Sequence, residues 1–348
     1  MDGVRVIRYA YAPRAWETLI YGGGIVPNLR RSPWKLLLLP TLFLVAASRL
    51  RKMLKCGVDV VHAHWIIPSG VAAALVSRRV PFMVTAHGSD VFGLRGNLME
   101  RLRAYVLRRA THVTTVSPPL ADRLRDAGLD SSRLTILPMG TDLGTFSPDA
   151  DLRRDRFHVL FVGRLIPIKG CDVLLRAIAM LAEDYPGLRL SIVGDGSGKA
   201  GLVQLAASLG IASRVHFLGS LDHDRLSSLY RSVSMLAWPS VRLPNGQQEG
   251  LGMVVAEAAA CGCPVVASDQ PAMRWLMEGA DKVLFRQGSP DDLARIIAER
   301  FDDPGQFDAF DHVVGQRVRE RLDWNVVGRR YGALLERARH ATDENAVS

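Results

Sequence analysis

The 348-residue sequence has only four cysteines, nothing in it resembles a secretion signal, and we expect its most hydrophobic segment to be too short for a membrane-spanning helix. Cys56, Cys171, Cys261 and Cys263 do not have the spacing of a metal site or of a disulfide framework, so we expect a reducing, cytoplasmic compartment. Hydrophobic residues make up 48% of the chain and charged residues 23%. This composition predicts a globular protein that is long enough for two domains.

Acidic residues are scarce in the first half of the chain. Residues 1–150 contain 20 basic and 10 acidic residues, whereas the rest of the chain has almost no net charge. This excess predicts an anionic partner for the first half. The basic residues are not interleaved with aromatic residues and no nucleic-acid-binding motif is present, so an anionic membrane surface fits better than a nucleic acid.

Trp34–Ser48 is the most hydrophobic segment. It is shorter than the ~20 residues of a spanning helix and Pro40 interrupts it, so we do not predict a transmembrane helix. Two alternatives remain, a helix lying in a membrane interface or a core helix with solvated ends. The first would make the protein peripheral at the inner face of a membrane. Basic residues flank the segment: Arg30, Arg31, Lys35, Arg49, Arg51, Lys52 and Lys55.

Short apolar runs alternate with helical periodicity along the whole chain, which predicts a parallel α/β architecture. In the first half the predicted strands are Val4–Tyr9, Val58–His62, Phe82–Ala86, His112–Val116 and Leu134–Pro138. In the second half they are Phe157–Val162, Leu188–Val193, Val215–Leu218, Val233–Ala237 and Pro264–Ala267.

These strands predict two Rossmann-like domains that face each other across a cleft. The first spans residues 1–145 and the second spans residues 157–322, with a linker at 146–156 that is rich in turn-forming residues. A last basic, amphipathic helix at 323–340 is expected to cross back to the first domain. Polar residues at the strand ends are expected to line the cleft.

The most informative segment begins at Glu249 and continues through a helix that contains Glu257. That helix has almost no other polar side chain, which predicts burial, and a buried carboxylate needs hydrogen-bond donors such as the hydroxyls of a ribose. Gly250 and Gly252 permit a close backbone approach, and the helix start offers N–H groups to an anion. The alternative is a tight strand-to-helix turn with an internally satisfied Glu257.

A basic loop follows the strand predicted at 157–162. Gly163 permits a sharp exit from the strand, and Arg164 and Lys169 then extend from one loop, an arrangement suited to a diphosphate. Gly170 lets the loop close onto the next helix. The alternative is that both basic side chains are only solvated.

Two further motifs are weaker. Gly194 begins a G-x-G-x-G sequence, but a dehydrogenase would need G-x-G-x-x-G and an acidic residue about 20 positions later. Asp222-His-Asp224 resembles the Asp-x-Asp that holds a metal-bound sugar diphosphate in other transferases. It directly precedes a predicted helix, so we interpret it as an N-cap.

His87 follows the strand predicted at 82–86 and lies beside a glycine. A histidine at such a strand end can hold a sugar or a phosphate, and it can exchange protons near neutral pH. The alternative is a structural histidine. His62 and His64 have no third ligand at a useful spacing, so we interpret them as structural and predict no metal site.

Together these motifs resemble the GT-B glycosyltransferases, specifically family 4. The resemblance rests on Gly163-Arg-Leu with Lys169-Gly170, on Val193-Gly-Asp-Gly, on Glu249 and Glu257 with seven residues between them, and on His87-Gly-Ser-Asp. It covers residues 157–340 in order and spacing, and in the first half it rests on the histidine motif.

The resemblance implies a nucleotide-diphosphate sugar as donor, a retaining reaction and no cofactor or essential metal. Arg164 and Lys169 would bind the diphosphate, and Glu257 would hold the ribose. Glu249 and His87 would act at the transferred sugar. The remaining donor-binding positions that it implies are Gly163, Gly194, Gly250, Leu251 and Gly252.

The chain differs from the family pattern at its start. The family opens with a strand, a Gly-Gly loop and a helix, whereas this chain begins at what resembles a later strand, and Gly22-Gly-Gly24 follows no initial apolar strand. We therefore expect an incomplete N-terminal domain and hypothesise that Met1 lies downstream of the family start.

The expected function is transfer of a hexose from a nucleotide-diphosphate sugar to a glycan or lipid-linked acceptor. One alternative is a degenerate homologue that binds nucleotide but acts as a non-catalytic partner. Another is a nucleotide-sugar epimerase of the same fold.

Overall fold

The computed structural model describes residues 3–20, 25–94, 96–149 and 152–347, and among them two parallel β-sheets form the framework of the protein. The first sheet has the order β1-β2-β3-β4 in the described part of the chain. All of its strand pairs are parallel, so the carboxyl ends of the strands lie along one edge. The strands are β1 Val61–His64, β2 Phe82–Ala86, β3 His112–Thr115 and β4 Leu134–Ile136.

Helices connect these strands and cover the first sheet. Apolar side chains of the strands and helices form one buried cluster that includes Val84, Val106, Val113 and Leu120. The helices are α1 Ile25–Arg31, α2 Leu38–Leu54, α3 Val71–Val76, α4 Asn97–Arg109 and α5 Pro118–Asp126.

The second sheet has the order β10-β9-β8-β5-β6-β7 in the described residues, and its strand pairs are also parallel. The strand order reverses beside β5, which is the position where open α/β sheets form a binding crevice. The strands are β5 Asp155–Val162, β6 Arg189–Val193, β7 Val215–Gly219, β8 Val233–Trp238, β9 Val265–Ser268 and β10 Leu284–Phe285.

Helices cover both faces of the second sheet, because its strands are apolar on both sides. Residues of α9 and α12 pack on one face, and residues of α6 and α11 pack on the other. The helices are α6 Cys171–Leu181, α7 Lys199–Ser208, α8 His223–Ser232, α9 Met253–Ala260, α10 Pro271–Leu276, α11 Pro290–Asp302, α12 Asp308–Leu322 and α13 Trp324–Val347.

The prediction of two parallel α/β domains is confirmed, but the prediction of a strand at Val4–Tyr9 is wrong. Residues 4–10 have no regular structure, and Val4 is 70% exposed. An alternating apolar pattern produces a strand only when a neighbouring strand supplies hydrogen bonds and a face to pack against. The free edge of β1 does not pair with this segment.

Other boundaries differ in smaller ways. The predicted strand Val58–His62 forms three residues later, as β1, and the short strand β10 was not predicted. The predicted linker at 146–156 overlaps β5, and its Phe146 is buried in the core of the second domain. The Gly22-Gly-Gly24 segment lies outside the described residues.

The apolar segment near the start forms a helix that Pro40 does not interrupt. Pro40 lies in the first turn of α2, where a missing backbone N–H costs no hydrogen bond. Together with a preceding 3₁₀ turn, Pro33–Leu54 is the one stretch of the described residues that is long and apolar enough to cross a membrane. Only 11% of its apolar window is buried, so it is not a core helix.

The last helix, α13, packs against the first domain. Val327 is fully buried against Met83 of β2 and Leu137, and the Tyr331 hydroxyl donates a hydrogen bond to the Leu137 carbonyl at 3.2 Å. Before α13 begins, a parallel bridge joins Thr141 to Asp323. The helix therefore ties the end of the chain to the first sheet.

We expect Val327→Ala to lower the free energy of unfolding by about 2 kcal/mol, because it removes two buried methyl groups and leaves a cavity. Urea unfolding followed by circular dichroism measures the change. The matched control is Val326→Ala on the partly exposed neighbouring position, which should cost much less. Equal losses in the two variants would contradict the packing of α13 on the first domain.

Candidate active site

The two domains meet through a backbone contact between His87-Gly88 and Gly250. A Cβ atom on Gly250 would lie 2.3 Å from the His87 carbonyl oxygen, and one on Gly88 would lie 3.0 Å from the Gly250 Cα. Gly88 also has φ of 116°, a conformation that favours glycine. Glycine at both positions therefore allows the carboxyl end of β2 to approach the turn that begins at Glu249.

Leu251, the next residue of that turn, contacts the cores of both domains. Its partly buried side chain packs against the cluster of the first sheet and against the cluster that includes α9. Gly252 follows at the N-terminus of α9, where a Cβ atom would lie 3.0 Å from the Trp238 ring nitrogen. The glycines that we predicted to approach a ligand thus approach protein atoms in this structure.

Asp90 holds the turn that carries His87. It is 1% exposed, and its carboxylate accepts hydrogen bonds from the backbone N–H groups of Ile66 at 2.8 Å, His87 at 3.1 Å and Gly88 at 3.0 Å. Burial raises the pKa of Asp90, while these donors oppose the rise. This side chain therefore links the end of β1 to the end of β2.

The ring of His87 lies in a histidine cluster. Its Nε2 is 2.9 Å from Nδ1 of His64, and the His62 ring packs on the His64 ring at 4.4 Å between centroids. Burial, together with the charge repulsion of neighbouring histidines, lowers the pKa of His87 and of His62 to about 4. The rings are therefore neutral at physiological pH.

Lys169 and Glu249 form an ion pair between the basic loop and the glycine turn. Lys169 Nζ is 3.1 Å from Glu249 Oε1, and the side chains are only 14% and 16% exposed. Because Glu249 directly precedes Gly250, this pair lies next to the contact with His87. The structure thus brings His87, Lys169 and Glu249 to the junction between the two domains.

The backbone packs closely in the loops that follow β5 and β6, next to the ion pair of Lys169 and Glu249. A Cβ atom on Gly194 would lie 2.0 Å from the Gly163 carbonyl oxygen, and one on Gly170, which has φ of 62°, would clash with the Pro239 carbonyl. The glycines therefore allow the two strand-end loops to touch. Arg164 is exposed on this surface, and its side chain makes no hydrogen bond or ion pair to any described residue.

Glu257 lies in the second domain, and its carboxylate has one hydrogen-bond donor among the described residues. The Tyr230 hydroxyl donates a hydrogen bond to Glu257 Oε2 at 3.2 Å. Burial raises the pKa of Glu257, and the bond from Tyr230 opposes this rise. The donor is Tyr230 of α8, which the sequence did not connect with Glu257 because the two residues lie on different helices.

The interpretation of Asp222-His-Asp224 can be compared with the structure. The Asp222 side chain accepts a hydrogen bond from the Arg225 backbone N–H at 2.9 Å, which confirms the N-cap that we predicted. No group of three or more His, Cys, Asp or Glu side chains in the described part of the chain could hold a metal ion.

The class of protein follows from this arrangement, since two parallel-sheet α/β domains meet at their strand ends, as in the GT-B glycosyltransferases. Sucrose-phosphate synthase from Thermosynechococcus elongatus superposes with a TM-score of 0.76 at 23% identity, over 92% of this chain and 83% of that one. Anabaena HepE in complex with UDP gives a TM-score of 0.71 at 22% identity, over 86% and 82%.

Sequence comparisons identify the family. Residues 3–145 match the model "Glycosyltransferase Family 4", and residues 145–321 match "Glycosyl transferases group 1". The chain is 34% identical to a D-inositol 3-phosphate glycosyltransferase of Rhodococcus opacus over 312 residues, which are 82% of this chain and 68% of that protein. The chain belongs to family 4 of the GT-B glycosyltransferases.

Two other relatives differ in coverage. A D-inositol 3-phosphate glycosyltransferase of Thermomonospora curvata is 36% identical over 201 residues, which are 51% of this chain and only 45% of that protein. A GDP-mannose-dependent alpha-(1-6)-phosphatidylinositol monomannoside mannosyltransferase of Mycolicibacterium smegmatis is 29% identical over 340 residues, which are 89% of this chain and 86% of that protein.

We expect Glu257→Gln to change how stability depends on pH. The raised pKa means that the folded state binds a proton more tightly than the unfolded chain, so stability from this group is lost as pH rises above the ordinary glutamate value near 4.5. Glutamine keeps an oxygen for Tyr230 and carries no charge. The melting temperature of Glu257→Gln relative to the unmodified protein should therefore be higher at pH 8 than at pH 4.

The exposed Glu183→Gln serves as the matched control, and its melting temperature should differ from that of the unmodified protein by the same amount at both pH values. A Glu257→Gln difference that does not change with pH would mean that burial does not shift this carboxyl.

Proposed function

We propose that this chain is a retaining glycosyltransferase that transfers a hexose from a nucleotide-diphosphate sugar to a glycan or lipid-linked acceptor. The observation that carries the proposal is the convergence of His87, Lys169 and Glu249 where the two domains touch. The names of the relatives support it, since one is a GDP-mannose-dependent mannosyltransferase and others are D-inositol 3-phosphate glycosyltransferases. Solved neighbours contain UDP or UDP-glucose.

In this proposal Lys169 and Arg164 bind the diphosphate. Lys169 is paired with Glu249 in the structure, whereas Arg164 has no partner among the described residues, so Arg164 is free to meet an incoming phosphate first. A diphosphate carries more charge than one carboxylate and would compete for Lys169. Backbone amides at 250–252, near the positive end of α9, would add to this site.

The nucleoside would lie along the second domain. Tyr230 donates to only one oxygen of Glu257, which leaves the other oxygen for a ribose hydroxyl. Gly163 and Gly194, whose loops touch, would let the chain pass close to the donor. With the nucleoside there, the transferred sugar would lie between Glu249 and the ring of His87.

The proposed reaction requires no metal. The acceptor oxygen attacks the anomeric carbon from the face that the diphosphate leaves, the bond from that carbon to the β-phosphate oxygen breaks, and the leaving diphosphate takes the acceptor proton. Lys169 and Arg164 would stabilise the charge on the leaving group. Glu249 would stabilise the positive charge that develops on the sugar.

The acceptor is proposed to be presented at a membrane, on the cytoplasmic side. Exposed apolar side chains in the first domain support this, including Leu37 at 77% and Leu44 at 69% exposed. Leu37 also lines a cavity of about 530 Å³, together with Trp16 and Trp34. The basic excess of residues 1–150 would attract anionic headgroups to the same domain.

A thermal-shift panel with UDP, GDP, ADP and NADH, without metal, tests donor binding. A ligand at about 100 times its Kd should add ~2.7 kcal/mol to the folded state. A shift with one nucleoside diphosphate supports the donor site and names its base. A shift with NADH alone, or with none of the ligands, contradicts the proposal.

We expect Lys169→Ala and Arg164→Ala each to weaken binding of that nucleoside diphosphate by about 1.5–3 kcal/mol, the cost of a lost charged hydrogen bond. Isothermal titration calorimetry measures the loss. Lys282→Ala and Arg176→Ala are controls in the same domain, and both should bind normally. If both Lys169→Ala and Arg164→Ala bind the nucleoside diphosphate with unchanged affinity, the diphosphate does not bind at this loop.

We expect Glu249→Gln to lower kcat by about a hundredfold while changing nucleoside-diphosphate affinity little, because its charge acts on the developing cation. Release of nucleoside diphosphate from the matching sugar donor measures turnover, with Glu183→Gln as control. Equal losses in affinity and kcat would argue against this role. Binding without any turnover would indicate a non-catalytic partner, and release of epimerised free sugar would indicate an epimerase.

A further inference from the structure

His64 and His87 leave neighbouring strands at the same edge of the first sheet. His64 is the last residue of β1, and His87 directly follows β2, which pairs with β1 in parallel. Their rings lie 5.1 Å apart between centroids, and Nδ1 of His64 is 2.9 Å from Nε2 of His87. Among the described residues, the ring of His87 makes no other hydrogen bond.

This hydrogen bond couples the protonation of the two rings. Burial lowers the pKa of both, so at neutral pH one neutral ring donates and the other accepts. If His64 donates, both rings carry their proton on Nδ1. If His87 donates, both carry it on Nε2. Which of the two rings donates therefore decides whether the remaining nitrogen of His87, Nδ1, is a donor or an acceptor.

The surroundings leave each ring little freedom to turn. The Trp65 ring lies 5.1 Å from the His87 ring between centroids, and Trp65 has φ of 67°, a conformation that non-glycine residues rarely adopt. On the far side of His64 lies His62, whose Nε2 is 2.7 Å from the Thr85 hydroxyl. That hydroxyl is in turn 2.6 Å from the buried Thr114 hydroxyl.

The stack continues into the last helix. The Tyr331 ring of α13 packs on His62 at 5.3 Å between centroids, and its hydroxyl is anchored on the Leu137 carbonyl. His64 thus contacts His62, whose ring contacts Tyr331. Because these contacts restrict the His64 ring, His64 can in turn restrict the His87 ring to which it is hydrogen-bonded.

We propose that His64 is a positioning residue that keeps the ring of His87 in one orientation and one tautomer, so that Nδ1 of His87 has a defined hydrogen-bonding character towards the transferred sugar. The inference rests on the proposed function in one respect, the contact between His87 and that sugar. The positioning itself is a property of the protein without ligand.

The first test is NMR of the histidine ring nitrogens in the ligand-free protein at pH 7.5. Long-range ¹H–¹⁵N correlations distinguish the two neutral tautomers, and the His87 signals are assigned by their loss in His87→Gln. We expect one tautomer for His87 in the unmodified protein and a mixture in His64→Phe, which keeps a ring but has no nitrogen. His64→Asn, with an amide near the position of Nδ1, should restore the single tautomer.

His112→Gln is the matched control. His112 is also a half-buried histidine of the first sheet, bonded to the threonine hydroxyl of a neighbouring strand at 2.9 Å, but it does not contact His87. It should leave the His87 signals unchanged. Unmodified protein that already shows a mixture, or a folded His64→Phe variant whose His87 signals match those of the unmodified protein, would overturn the positioning role.

The second test is a double-mutant cycle on turnover of the nucleotide sugar that the thermal-shift panel identifies. We expect His64→Phe to lower kcat at least tenfold with less than a twofold change in nucleoside-diphosphate affinity, and His64→Asn to recover part of the loss. In a His87→Ala background, His64→Phe should lower kcat no further. An equal loss in both backgrounds would show that His64 acts independently of His87 and would refute the inference.

The two tests separate this inference from the proposed function. If no nucleotide sugar is turned over, the proposed function fails. The NMR measurement of the His87 tautomer still tests whether His64 positions the His87 ring. If turnover is present but the His87 signals do not respond to His64, only the positioning role fails.

Discussion

The backbone contact between His87 and Gly250 is the constraint on which the rest of the site depends. A side chain at Gly250 would lie within 2.3 Å of a carbonyl oxygen, so the two domains reach this distance only because glycine is present. The contact brings a strand end of the first sheet next to Glu249. Leu251 also contributes to this junction, because its side chain packs against the hydrophobic cores of both domains.

The two sides of the junction differ in charge, and burial explains the difference. On the first domain the histidine rings are neutral, because burial penalises their charged form. On the second domain Lys169 and Glu249 form an ion pair, and their side chains are only 14% and 16% exposed. A diphosphate would therefore meet its positive charges on the second domain, while uncharged polar rings face it from the first.

Stacked side chains connect this junction to the end of the chain. The Tyr331 ring of α13 contacts the His62 ring, and the His62 ring contacts the His64 ring. His64 is in turn hydrogen-bonded to His87. The last helix thus makes two kinds of contact with the first domain. It covers apolar residues of the sheet, and its Tyr331 ring packs on His62. The helical periodicity of the sequence predicted α13, but it did not show that Tyr331 would contact His62.

Local patterns in the sequence determined the α/β class, most strands and the Asp222 cap, because these depend on residues close in the chain. The Val4–Tyr9 prediction failed because a strand also needs a partner. Only the tertiary structure decided that Glu257 meets Tyr230, that Lys169 pairs with Glu249 and that His64 contacts His87. These contacts join residues from separate elements, and the packing of those elements is set by the whole chain.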